Sequence, residues 1–294
     1  MNNFQGHSLP IVLTIAGFDP SCGAGVGADL KTFSAHNCYG VAAVTALTVQ
    51  STQGVQAVHP TPSATLRAQL EALAQDLQIA AIKIGMLGTR ANAAVVAEFL
   101  DKGNFQHVVL DPVIHASAGG ADLLDAGGVK YLGEELIKRA SVITPNIPEA
   151  ALLAGVEISD VAGMEAAARK LVEERGARAV VITGGHMEKP VDVLFDGTEL
   201  QVLSADRVKT ENTHGSGCTF ASAIAAQLAC GRALPEAVML AKAYVTKAIE
   251  KAFSIGKGPG PLDHFYRSHQ EPPQRGIHEV PQHGLHPAAE PATR

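Results

Sequence analysis

Hydrophobic positions along the chain follow two alternating periods. Runs at 11–16, 41–49, 80–84, 108–110, 142–144 and 179–183 are apolar at successive positions, the pattern of strands covered on both faces of a parallel sheet. Between them, 63–77, 89–100, 128–139 and 161–175 are amphipathic at helical spacing. Ser63 and Thr89 stand where an N-cap hydroxyl accepts from amides left unpaired in a first turn. This alternation predicts right-handed βαβ crossovers and a three-layer αβα fold around a mainly parallel sheet. The runs 191–195 and 200–203 flank Asp196-Gly197, a hairpin dipeptide, and place an antiparallel pair at one sheet edge. Two Ala-rich helical segments follow, at 217–229 and 235–252. Residues 1–267 read as one domain. From residue 268 the chain turns to Pro, His, Gln and Glu without an apolar period, so 268–294 is expected to be a disordered tail.

Composition narrows the function classes. Hydrophobic residues make up 46% of the 294 and charged ones 18%, enough for a large core; with aromatics at 4% and no Trp that core is aliphatic. A net charge of −6 argues against broad nucleic-acid or anionic-membrane binding, which need a cationic surface. No apolar run reaches the roughly 18 residues of a membrane span. The apolar stretch 9–18 lacks the basic residues of a signal peptide, since the first Lys or Arg is Lys31. Cys22, Cys38, Cys218 and Cys230 form no C-x-x-C pair, which excludes the usual zinc and redox motifs. A cytoplasmic location is expected.

Glycine clusters carry the candidate chemistry. No segment matches a Walker phosphate loop. Gly23 to Ala28 spells G-x-G-x-x-A, but 18–22 separates it from the preceding strand. No Asp or Glu stands between Asp29 and Glu71 to hold a ribose, so a nicotinamide-dependent oxidoreductase is a distant reading. Asn212-Thr213-His214-Gly215-Ser216-Gly217-Cys218 directly precedes an Ala-rich helix. Converging amides and the helix N-terminus there make an anion hole, and Cys218 at that position is expected to have a lowered pKa. A plain Gly-rich cap with a small packed Cys fits the isolated motif equally well. Asp111 and Asn146-Ile147-Pro148-Glu149 follow strand ends, where α/β sheets bind ligands. Their oxygens suit Mg²⁺, directly or through its waters, or simply cap the next segments. Gly184-Gly185 after another strand marks a close backbone approach or an ordinary turn.

Taken together, these residues resemble the hydroxymethylpyrimidine (phosphate) kinases of thiamine biosynthesis, in the ribokinase-like superfamily. The resemblance rests on 13–21 with Gly23-Ala24-Gly25 and 28–32, on Lys83-Ile84-Gly85-Met86-Leu87, and on Leu110-Asp111-Pro112-Val113. It continues through 144–150 and 212–219 to 256–261, and covers residues 10–267. It implies a ribokinase-like fold and ATP- and Mg²⁺-dependent phosphorylation of 4-amino-5-hydroxymethyl-2-methylpyrimidine, then of its monophosphate. It also implies a homodimer. The same resemblance assigns Cys218 as the base, with the amides of Gly215, Ser216 and Gly217 on the transferred phosphate. Gln50, Met86, Val113 and Gly17 line the pyrimidine pocket, with Asp29 near the hydroxymethyl group. Asn146, Thr183, Gly185 and Thr213 serve the nucleotide, and Asp111 and Glu149 the metal. Two departures stand out: Cys22 and Gly27 replace the family's usual Gly and Gln, and Thr183 replaces a Lys frequent in close members. The alternatives are a pyridoxal or pyridoxamine kinase and, in a different class, a non-catalytic pyrimidine-binding sensor.

Overall fold

Strand residues point alternately into two helical layers. Leu13 and Ile15, Ile82 and Ile84, Val108 and Leu110, and Val180 and Ile182 enter one core, while Val12, Ala81, Val109 and Val181 enter the other. This is the geometry that makes doubly covered strands continuously apolar. The computed structural model describes residues 9–116, 120–185 and 187–269. Its strands are β1 (Ile11–Phe18), β2 (Tyr39–Ser51), β3 (Gly54–Pro60), β4 (Ile79–Ile84), β5 (Val108–Leu110), β6 (Val142–Ile143), β7 (Val180–Gly184), β8 (Val191–Phe195) and β9 (Leu200–Ser204). They form one sheet in the order β3-β2-β1-β4-β5-β6-β7-β8-β9. The strands from β2 to β7 in that order are parallel. Both edges are antiparallel: β7-β8-β9 as expected, and β2-β3, which the sequence reading did not separate.

One helical layer comprises α1 (Gly25–Ala35), α7 (Ser216–Ala229) and α8 (Leu234–Glu250), represented in its core by Phe33, Ile224 and Tyr244. The other holds α2 (Ser63–Asp76), α3 (Arg90–Lys102), α5 (Ile147–Ala154) and α6 (Val161–Glu173), through Leu66, Val96, Leu153 and Met164. The expected helix at 128–139 is α4 (Ala126–Tyr131), which widens into a π turn and then tightens into a 3₁₀ turn ending at Arg139. Thr89 caps α3, its hydroxyl accepting from the Asn92 amide at 3.2 Å. Ser63 does not cap α2; it lies inside the first turn and Pro62 precedes it as N-cap. Of the expected tail, only Ser268 and His269 fall within the described residues.

The two loop departures are in contact. A Cβ on Gly27 would meet the Cα and Cβ of Cys22, each at 2.9 Å, so this path of the loop leaves no room for a side chain at 27. Cys22 takes a φ of 55°, a left-handed conformation that costs a β-carbon-bearing residue energy. Cys22→Gly is therefore expected to raise stability by about 0.5–1 kcal/mol, net of the greater freedom Gly gives the unfolded chain. Urea unfolding checks this; a lowered midpoint would mean that Sγ packing outweighs the strain.

Candidate active site

The cleft opens where β1, β4, β5, β6 and β7 end. It encloses about 910 Å³ of space open to solvent, and Gly17, Asp19, Gln50, Lys83, Met86, Asp111, Thr144, Asn146, Glu149, Thr183 and Cys218 all reach it. Ligands bind at this edge in open α/β sheets because strand ends, loops and helix N-termini converge there.

One end of the cleft is apolar with a single polar reader. Met86 packs in a small cluster with Ala46 and Leu123, against Val55, Val58, Val113 and Ala116. Gly17 leaves space for Met86, whose Sδ would lie 2.8 Å from any added Cβ. Hydrogen counting sets how Gln50 sits above this wall. The Thr48 hydroxyl has one hydrogen and two acceptors in reach, the Phe18 carbonyl at 3.0 Å and the Gln50 amide at 3.1 Å. The other end of that amide lies 3.5 Å from His214 Nε2, which is already 2.9 Å from the Asp19 carboxylate and so carries its hydrogen there. As placed, the amide oxygen accepts from Thr48 and the NH₂ faces that N–H, which is repulsive, so hydrogen counting assigns the reverse orientation, oxygen to His214 and nitrogen to Thr48. One N–H and one lone pair of Gln50 stay free for a ligand. Burial alone would raise the Asp19 carboxyl, but bonds from His214, from the Ser21 hydroxyl and from the amides of Ser21 and Ala24 hold it below its ordinary value.

The other end is the anion turn. Gly215 adopts a φ of 83°, and a Cβ there would run into the Gly23 carbonyl, so only Gly lets this turn dock on the loop after β1. At Gly217 a Cβ would meet nothing, and the space in front of it belongs to the cleft. The amides of Gly217 and Cys218 lie in the first turn of α7, where an α-helix leaves them unpaired. Ser216 is a correction: its amide donates to the Thr213 carbonyl at 3.2 Å and is spent within the turn. Thr213 is exposed, and neither it nor Gly185 lines the cleft.

Two further expectations change. Burial first, then the carboxylates of Asp111 and Asp29, push the Cys218 thiol up to about 12 against the pull of Lys83. The lowered pKa expected from its helix position is not found, because burial, helped by the two carboxylates, outweighs both the dipole and Lys83. Asp29 does not line the cleft. It is fully buried, accepting from Thr14 Oγ1 at 2.6 Å, Ser222 Oγ at 2.7 Å and Lys83 Nζ at 3.0 Å. Lys83 is the functional residue the sequence reading missed. Its ammonium is fully buried, lines the cleft and lies 3.8 Å from Asp111. Burial opposes its charge, but Asp29, Cys218 and Asp111 more than offset this and raise its pKa. Its position within Lys83-Ile84-Gly85-Met86 was the only available signal.

Asp111 and Glu149 meet across the strand ends. Asp111 Oδ2 is buried without a hydrogen-bond partner, and so is Thr144 Oγ1. Burial and then the neighbouring Asp111 push Glu149 up to about 8. Glu149 also closes a capping box: its Oε2 accepts from the Asn146 amide at 3.0 Å while Asn146 Oδ1 accepts from the Glu149 amide at 2.9 Å. Capping and cleft-lining roles thus coexist in one side chain. Among the described residues no three His, Cys, Asp or Glu gather into a metal cage.

A Gly-rich turn at the start of α7 facing an apolar wall, at the strand ends of this sheet, is the arrangement of a ribokinase-like small-molecule kinase. More narrowly, the chain belongs to the phosphomethylpyrimidine kinase family, whose pattern matches residues 19–263. It is similar to the hydroxymethylpyrimidine/phosphomethylpyrimidine kinase of Haemophilus influenzae, with 45% identity over 86% of this chain and 96% of that protein. It is also similar to the thiamine biosynthesis bifunctional protein ThiED of Geobacter sulfurreducens, with 46% identity over 86% of this chain. The chain spans about half of that relative's length, 52%. Among solved structures, an ADP complex of Bacillus subtilis pyridoxal kinase superposes with a TM-score of 0.81 at 38% identity, over 89% of this chain and 99% of that one. Among the described residues no helix is long and apolar enough to cross a membrane.

Proposed function

We propose that the chain transfers the γ-phosphoryl group of ATP to the alcohol of 4-amino-5-hydroxymethyl-2-methylpyrimidine, and then phosphorylates the monophosphate, in thiamine biosynthesis. The observation that carries this reading is the cleft itself: Gln50 above the Met86 and Val113 wall at one end, Gly217 and Cys218 at the other. A side-chain amide with one donor and one acceptor free suits an aminopyrimidine edge. Asn146 and Thr183 line the nucleotide side, and Gly215 shapes the turn.

Phosphoryl transfer to an alcohol passes through a loose transition state, so positioning and charge neutralisation matter more than a strong base. The amides of Gly217 and Cys218 receive the phosphoryl oxygens at the positive end of α7. The Cys218 thiol, protonated at rest and hydrogen-bonded to the Asp111 carboxylate, orients the alcohol and takes its proton late, as it passes its own proton to Asp111. Lys83 holds fixed positive charge beside Cys218 and Asp111, while Asp29 keeps Lys83 in place. Asp111 Oδ2, buried with no hydrogen bond and with only Lys83 at 3.8 Å, and the Glu149 carboxyl offer hard oxygens at the strand ends, so the donor set fits Mg²⁺. Asp111 and Glu149, with Asn146 nearby, would hold Mg²⁺ largely through its waters, and the ion would neutralise phosphate charge. A homodimer is supported by hairpin β2–β3, where Leu47 and Val49 are 56% and 46% exposed side by side.

An ATP-consumption assay with hydroxymethylpyrimidine, its monophosphate and pyridoxal side by side tests the reading. Turnover of both pyrimidines is expected; preference for pyridoxal, or none at all, overturns it. Glu149→Gln is expected to raise the Mg²⁺ concentration needed for half-maximal rate while excess Mg²⁺ restores most activity. The amide still accepts from the Asn146 backbone but lacks the negative charge. An unchanged metal titration would remove Glu149 from the metal shell.

A further inference from the structure

Cys38 and Cys230 are 192 positions apart in the chain, and their sulfur atoms are 3.8 Å apart. Cys38 follows α1 and is buried, whereas Cys230 caps the end of α7 and is exposed. The two helices pack on each other, and their N-terminal ends, at Gly25 and Gly217, reach the cleft. The cysteines therefore meet where the same helices end, away from the reaction. The phosphoryl-transfer mechanism uses neither. Little fixes the buried sulfur: Cys38 Sγ has only long contacts to the carbonyls of His36 at 3.7 Å and Ala226 at 3.8 Å. A disulfide requires about 2 Å between sulfurs, so the pair has to close by a little under 2 Å. The other cysteines stand elsewhere, Cys22 beside Gly27 and Cys218 at the cleft.

We propose that Cys38 and Cys230 are an oxidisable pair that forms an intramolecular disulfide on reaction with a low-molecular-weight disulfide such as oxidised glutathione. Cys230, the accessible thiol, loses its proton to solvent and attacks one sulfur of the oxidant, expelling one glutathione thiolate. Cys38 then loses its proton and attacks Cys230 Sγ, expelling the second. The two protein thiols give up two protons and two electrons, and one oxidant disulfide becomes two thiols. Burial and then the neighbouring Cys230 push the Cys38 thiol up to about 12, so Cys38 enters second, as the resolving group. The bond ties the start of β2 to the end of α7 and leaves the anion turn untouched.

The full chain incubated with oxidised glutathione is expected to lose two reactive thiols, with a Cys38–Cys230 cross-linked peptide in non-reducing maps of the single chain. A reductant should return both thiols. Cys230→Ser, at an exposed site where folding is not at stake, should abolish the cross-link. Any of three results overturns the proposal: a lasting glutathionyl group on Cys230 with Cys38 still free, a cross-link through Cys22, Cys218 or a second chain, or no loss of thiols. None of these readouts depends on the enzyme's substrate, so the proposed kinase activity and this pair stand or fall separately.

Discussion

Cys218→Ala is expected to lose about 10²–10⁴-fold in kcat, the range that a positioned acid–base group contributes, while nucleotide affinity changes little. The affinity survives because the anion turn holds phosphate with backbone amides, which alanine keeps. The size of the loss is bounded by the state of the thiol. Pushed up to about 12, the thiol is protonated in the free enzyme at neutral pH. Cys218 thus acts as a hydrogen-bond partner that relays the proton, taking it from the alcohol as its own passes to Asp111, once the alcohol oxygen has begun to bond phosphorus, which a loose transition state permits. Cys218→Ser keeps a hydroxyl in the same place and should fall between the two. Single-turnover rates together with direct nucleotide binding separate the terms. A near-wild-type kcat in the alanine variant would show that this cysteine merely packs the first turn of α7.

Much of the fold was legible because buried parallel strands and amphipathic helices leave different periods. Strand and helix positions matched to within a few residues wherever the run was long. Three elements were not read. Helix α1 begins in the glycines at 23, 25 and 27, which look like loop, and it forms because α7 packs on it. Helix α5 is only Ile147–Ala154, too short to show a period beside its capping motif. Strand β3 ends in Pro60 and exists because the antiparallel partner β2 extends past the rest of the sheet.

The site was legible where function is carried by local motifs and illegible where it depends on distant convergence. The turn at 212–218 and the Asn146–Glu149 box are continuous in sequence. The family resemblance puts Asp29 near the substrate hydroxymethyl, but its partners Thr14, Lys83 and Ser222 lie 15, 54 and 193 positions away. The His214–Asp19 pair that orients Gln50 spans 195 positions. The pKa of Cys218 failed for the same reason. A helix N-terminus can be read from sequence, whereas the burial and two carboxylates that dominate it cannot.

Lys83→Met is expected to destabilise the fold by about 3–5 kcal/mol, the cost of breaking a buried ion pair by removing one partner. Lys83 and Asp29 are both fully buried, with the ammonium 3.0 and 3.1 Å from the two carboxylate oxygens. Methionine fills a similar volume, so little of the loss comes from packing. What remains is Asp29 held by two neutral hydroxyls, and Asp111 nearby with its buried oxygen still unpartnered. Adding Asp29→Asn to Lys83→Met should recover part of the loss, since the amide oxygen accepts from one of the two hydroxyls, Thr14 or Ser222, and its NH₂ donates to the other, with no uncompensated charge. Residues in one network are expected to couple in this way. Urea unfolding at constant m-value measures both variants. The sign with pH follows from the raised Lys83 pKa. Its contribution is complete below 10.5, the ordinary lysine value, and is lost as pH climbs above that toward the folded value, a step the Met variant lacks. A loss under about 1 kcal/mol, the worth of an exposed pair, would show that water reaches Lys83 and that the pair is not the closed anchor of the cleft floor.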